Sequence, residues 1–155
     1  MNSWATPDQR ALLSLADPVL AVFAQHIQAR PSDVEAGGLL LGTVHGTHIA
    51  VVEATTPTKW DRRLRYFFER MSLGHSAIAQ ARWTDSGGMV RYVGEWHTHP
   101  QDYPYPSGTD RTEWNKLSCA REDGRLMLAV IVGRRDLYIE LVPRAGTGPA
   151  KAPMK

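Results

Sequence analysis

Cysteine is nearly missing: Cys119 is the only one in 155 residues. A lone thiol excludes an internal disulfide framework and any thiolate-rich zinc site. Long hydrophobic runs are missing too. The longest, Leu126 to Val132, is far too short to span a bilayer. The N-terminus lacks the basic start of an export signal, and Asp17 and Pro18 interrupt its apolar stretch, so a soluble cytoplasmic protein with no membrane partner is expected. A strong charge bias is also lacking. Eighteen basic against sixteen acidic residues leave +2, too little to imply nucleic acid. No internal repeat or low-complexity block divides the chain. What is present is ordinary globular composition, 43% hydrophobic and 22% charged, at a length that suits one domain and one core.

Along the chain, Leu12 to Leu15 reads as a short strand. Asp17 followed by Pro18 reads as an N-cap and a first helical residue, with apolar spacing that carries a helix to about Ala29. Gly37-Gly38 leads into a buried strand at Leu39 to Leu41. His45-Gly46 is a turn and Ile49 to Val52 the returning strand. Arg63 to Phe68 is β-prone, and Leu73 to Trp83 has helical composition. Val90 to Trp96 is a strand. Tyr103-Pro104-Tyr105-Pro106 must be a loop, since alternate prolines forbid helix and central strand. Ser107-x-x-Asp110 starts a capped helix that runs to about Arg121. Strands follow at Leu126 to Val132 and Leu137 to Val142. The order β-α-β-β-β-α-β-α-β-β predicts an α/β fold, a twisted mixed sheet with helices on both faces. Residues 1–143 form the domain, and residues 144–155, without apolar periodicity, read as a flexible tail.

The chemistry concentrates in Glu95-Trp96-His97-Thr98-His99-Pro100 and Ser107-Gly108-Thr109-Asp110. Histidines at i and i+2 on an extended chain point the same way, so both rings can reach one ion. Asp110, at the start of the next helix, can fold back against them. Two histidines and one carboxylate leave the fourth zinc position open for water, which is the arrangement of a catalytic site. Zinc lowers the pKa of such a water to about 7. Glu95 shares the strand parity of His97 and His99, so by spacing alone it competes with any other glutamate for the role of base.

The string His97-x-His99-Pro100, with Ser107 and then Asp110, resembles the JAMM motif of the JAB/MPN metalloproteases. The upstream Glu35-Ala36-Gly37-Gly38-Leu39-Leu40-Leu41-Gly42 is similar to the glutamate and glycine-rich strand of the same family. The resemblance runs from about Pro31 to Cys119. It implies a single-domain, cytidine-deaminase-like mixed sheet, with zinc on His97, His99 and Asp110. It also implies Glu35 as general base and Ser107 as donor to the oxyanion. On this match Glu95 becomes a partner that orients a histidine, or a structural carboxylate. Gly94 to Pro100 looks most like the prokaryotic JAB branch, and within it the deconjugating isopeptidases of CBASS antiphage systems. That likeness implies a conjugated protein substrate, ubiquitin-like or the C-terminus of a cyclic-oligonucleotide synthase, and a functional link to a fused E1–E2-like conjugating enzyme. A JAB hydrolase acting on a sulfur-carrier protein and a non-catalytic scaffold are the alternatives.

The remaining polar and aromatic residues have plainer readings. His45 and His48 are exposed hairpin residues, and His26 and His75 are surface or capping residues of helices. Cys119 is a small buried residue. Arg62, Arg63, Arg65 and the pair Arg134-Arg135 read as solvated, with contact to an acidic partner the alternative for the first cluster. Trp60, Trp96 and Trp114 pack, with Trp96 facing away from the two histidines. Tyr103 and Tyr105 line a groove or shield it.

Overall fold

The computed structural model describes residues 1–59, 61–64, 67–69, 72–144 and 153–154. Nine strands and three helices are found among them. In chain order they are β1 (Asn2–Ala5), β2 (Leu12–Leu15), α1 (Asp17–His26), β3 (Gly37–His45), β4 (His48–Ala54), β5 (Arg62–Leu64) and β6 (Phe67–Glu69). Then come α2 (Ser72–Asp85), β7 (Arg91–Thr98), α3 (Gly108–Ala120), β8 (Met127–Val132) and β9 (Leu137–Val142). Seven strands form one mixed sheet in the order β1-β2-β4-β3-β7-β8-β9. The pairs β2–β4 and β7–β8 are parallel and the others antiparallel. β5 and β6 form a separate antiparallel hairpin.

β8 shows why helices cover both faces. All six of its residues are buried, as expected of a strand with no solvent face. Leu128, Val130 and Val132 join Val19 and Phe23 of α1 in one cluster. Met127, Ala129 and Ile131 alternate to the other face and pack with Trp114 of α3. The predicted α/β sheet flanked on both sides is therefore the observed one. In the centre, Gly94 of β7 has no room for a side chain, because a Cβ there would overlap the Leu128 carbonyl. That close approach places β7 tightly between β3 and β8.

Several local expectations are corrected. α1 is capped by Ala16, with no side-chain cap bond, so Asp17 lies in the first turn and supplies charge to the helix N-terminus instead. The helix ends at His26, short of Ala29. β1 had no sequence signal of its own, being four residues paired only to β2. The β-prone stretch from Arg63 divides into β5 and β6. Trp60 and Arg65 lie outside the described residues. Within the expected tail, Met154 is buried on the α1 side of the sheet and donates its N–H to the Ile139 carbonyl of β9 at 2.8 Å. No helix among the described residues is long and apolar enough to cross a membrane.

Candidate metal centre and its glutamate

β7 ends at Thr98, level with the end of β8 and one residue past the start of β3, and this sets the site. His97 lies opposite Gly37 of β3 and Ile131 of β8. Trp96 points to the α1 face, 99% buried, its ring 5.2 Å from Phe23. By alternation His97 points to the α3 face, its ring 6.3 Å from that of Trp114. Thr98 ends the strand, and the His99 N–H donates to the Val132 carbonyl at 3.0 Å, so His99 is held by β8 although it lies beyond the strand.

Asp110 arrives from the N-terminus of α3. Ser107 is the N-cap: its Oγ accepts from the Asp110 N–H at 3.1 Å, and the Asp110 carboxylate accepts from the Ser107 N–H at 2.7 Å. This reciprocal box is what Ser-x-x-Asp encodes. One residue on, the Arg111 guanidinium bonds Glu140 of β9 at 2.5 Å and the Tyr138 hydroxyl at 3.2 Å. That pairing pins the first turn of α3 to the sheet. Its signal in the sequence is Glu140, a charge inside an otherwise apolar strand, which needs a buried partner.

The result is a cluster. His97 Nε2 and His99 Nε2 lie 3.1 Å apart. They lie 3.1 and 3.2 Å from the two oxygens of Asp110. One ligand atom from each of the three falls within 4.8 Å of the others, the geometry for a shared ion. Gln101 decides which ring nitrogen faces inward. Its Oε1 lies 3.1 Å from His99 Nδ1, so Nδ1 donates outward and Nε2 is the nitrogen turned toward Asp110 and His97. The same oxygen accepts from the Tyr105 N–H at 3.3 Å, tying the ring to the loop that leads to Ser107. Neither Gln101 nor Arg111 was singled out from the sequence.

Charge is matched within the cluster. Burial raises Asp110, but hydrogen bonds from His97, His99 and the Ser107 amide outweigh it and hold the carboxyl well below the usual range. Burial lowers His99, and the Asp110 carboxylate more than reverses this.

Glu35 lies beside the cluster without joining it. It is 94% buried, and burial pushes its carboxyl up to about 8, against the charge on His99 and with that on Asp110. Among the described residues its carboxylate accepts no hydrogen bond. Its backbone, by contrast, is fully engaged. The Glu35 N–H donates to the Leu64 carbonyl at 2.7 Å, and Arg63 Nε donates to the Glu35 carbonyl at 2.9 Å. The next residue, Ala36, is clamped to Thr98, through Thr98 Oγ1 at 3.0 Å and the Thr98 N–H at 2.8 Å. Thr98 Oγ1 in turn donates to buried Gln28 at 2.9 Å. Glu35 is thus fixed between the hairpin and the residue that separates the two histidines.

Glu95 is engaged elsewhere. It is buried in β7, and Oε1 accepts from the Tyr92 hydroxyl at 2.8 Å. Tyr103 and Tyr105 are exposed, and the Tyr105 ring meets Tyr138 edge-on at 5.7 Å. His45 and His48 are exposed, and His48 Nδ1 accepts from the Leu12 N–H. Two readings are corrected: Cys119 is exposed, and His75 is wholly buried.

A family model described as prokaryotic homologs of the JAB domain matches residues 16–142. A Pseudomonas aeruginosa protein named CD-NTase/cGAS isopeptidase is 60% identical over 155 residues, covering 100% of this chain and 98% of its own length. A Vibrio cholerae protein of the same name is 37% identical over 105 residues, 68% of this chain and 65% of its own. The solution structure of a Desulfitobacterium hafniense protein superposes with a TM-score of 0.60 at 21% identity, covering 86% of each chain. That likeness concerns the fold.

Proposed function

The chain belongs to the prokaryotic JAB family, and from that premise we propose that it is a zinc isopeptidase of the cytoplasm. It hydrolyses the amide that joins the C-terminus of a conjugated CD-NTase to its target, and so reverses a modification made by an E1–E2-like enzyme in CBASS. The observation that carries this reading is the convergence of His97, His99 and Asp110 beside a buried glutamate that is not one of the ligands. The names of the relatives support the substrate class.

The donor set fits zinc: two imidazole nitrogens and one carboxylate, with the His99 tautomer set by Gln101. When bound, zinc supplies a Lewis acid that makes water acidic near neutral pH. The chain's own residues do the rest. Glu35, buried beside the cluster with no donor on its carboxylate among the described residues, takes a proton from the attacking water, holds it in its buried pocket, and gives it to the leaving amine nitrogen. The Ser107 hydroxyl accepts from the Asp110 amide with a lone pair. Its proton remains to be donated to the oxyanion that develops on the scissile carbonyl. His97, His99 and Asp110 are positioned by strand end and helix cap before substrate arrives, so little rearrangement opposes the reaction.

The test compares the protein with a His97→Ala, His99→Ala double variant. We expect one zinc per chain in the former, and release of a CD-NTase from a conjugate bearing its C-terminal amide. The double variant should lack both. Equal, substoichiometric zinc in the two proteins would refute the site.

A further inference from the structure

His75 is a buried titratable side chain that the reaction does not use. It sits in α2 with no exposed surface, and both ring nitrogens are bonded. Nδ1 lies 2.7 Å from Thr55 Oγ1, and Nε2 lies 2.7 Å from Asp61 Oδ2, a carboxylate whose side chain is also fully buried. The direction of the chain follows from its ends. The Asp61 carboxylate can only accept, so Nε2 bears the proton, and Nδ1 accepts from the Thr55 hydroxyl, whose oxygen also accepts from the Leu39 N–H at 2.8 Å.

Thr55 is the fixed end. Its N–H donates to the Leu39 carbonyl at 2.9 Å, and its carbonyl accepts from Trp96 Nε1 at 2.9 Å. It packs so closely on β3 that a Cβ at Gly38 would overlap its carbonyl oxygen. Thr55 is therefore bound both to the glycine-rich strand after Glu35 and to the tryptophan between Glu95 and His97. Asp61 is the other end. It also accepts from the Thr58 N–H at 2.7 Å, and the next residue begins β5.

β5 needs such an anchor. Its three residues are all exposed, and its ladder partner is β6 in a hairpin separate from the main sheet. A two-stranded hairpin is marginal by itself. Yet β5 supplies both groups that hold the Glu35 backbone, the Leu64 carbonyl and the Arg63 guanidinium.

We propose that Asp61 and His75 are positioning residues for Glu35: tethered to Thr55, they fix the start of β5, and β5 holds the backbone of the glutamate over the metal centre. For catalysis this rests on the reading of Glu35 as base, but the anchoring itself is measurable without activity. Asp61→Ala and His75→Gln each break the chain, the second by a side chain that reaches one partner rather than two. Asp61→Asn keeps an acceptor for Nε2–H and serves as the conservative control.

Amide hydrogen exchange in the full chain reads the tether directly. In Asp61→Ala the Glu35 N–H should exchange at least about tenfold faster while Leu40 in β3 is unchanged, because only the local hairpin opens. Bound zinc should stay the same. kcat should fall roughly ten- to hundredfold, the scale of a misplaced catalytic group. Asp61→Asn should restore both, and His75→Gln gives the same readout should Asp61→Ala fail to fold. Unchanged Glu35 exchange in a folded variant overturns the proposal, as does equal loss of protection throughout β3. Full activity of Glu35→Gln would instead overturn the base assignment, while the exchange result still decides the tether.

Discussion

His97, His99 and Asp110 hold one another through their side chains, whereas Glu35 is held through its backbone and leaves its carboxylate without a hydrogen bond among the described residues. The two arrangements suit two tasks. Ligands must converge on one point, and their mutual hydrogen bonds offset the burial of charge. A base must change protonation state during each cycle. A carboxylate clamped by donors would be locked ionised, while a buried one without donors keeps the proton within reach near neutral pH.

The sharpest way to break this contrast is Glu35→Gln. It preserves shape and backbone contacts but cannot take a proton. Cleavage should drop by about 10²–10⁴-fold, with zinc content unchanged. Near-normal cleavage would remove Glu35 from the mechanism. Ser107→Ala comes next. Loss of an oxyanion donor costs on the order of a hundredfold in rate, whereas loss of the cap alone costs about 1 kcal/mol of stability. Normal turnover with a lowered melting temperature would leave Ser107 as a cap only.

A smaller effect is expected in the pH dependence of stability. Glu35 is raised on folding from 4.5 to about 8, so across that interval the folded state binds the extra proton. Stability of the metal-free protein therefore falls as pH rises from about 5 to 8. Glu35→Gln should flatten that slope in denaturant melts, and an identical slope in both proteins would contradict the raised value. The smallest change is expected for Glu95→Gln. Its amide oxygen can still accept from Tyr92, so most activity should remain. A variant that binds zinc yet is inactive would move the base to Glu95.

The legible parts of the molecule are those encoded at short range. His97 and His99 follow from strand parity, and the Ser107–Asp110 box from helix-cap spacing; the structure places these side chains together. The helices on both faces follow from unbroken apolar runs such as β8. What escaped was set by contacts between distant segments. His75 has an ordinary helical neighbourhood, and nothing near it in sequence announces Thr55 or Asp61. Gln101 is a polar loop residue until the His99 ring is seen against it. β1 is too short for periodicity, and Asp17 was displaced as cap because Ala16 already has the extended backbone of a cap residue. Glu35 was reached through its family pattern, since no local spacing connects it to the histidines.

The place of β7 in the sheet bears on how the protein comes into being. His97 is flanked by Gly37, made much earlier on the ribosome, and by Ile131, made much later. A parallel pair such as β7–β8 requires closure of a long intervening segment, here one that includes α3. Such non-local pairings form slowly. The emerging chain can join β3, β4 and β7 first, but His99 gains its backbone tie to Val132 only when β8 docks. Hydrolytic competence is therefore acquired late in synthesis, and a truncated or stalled chain ending before β8 would carry the motif residues without an assembled site.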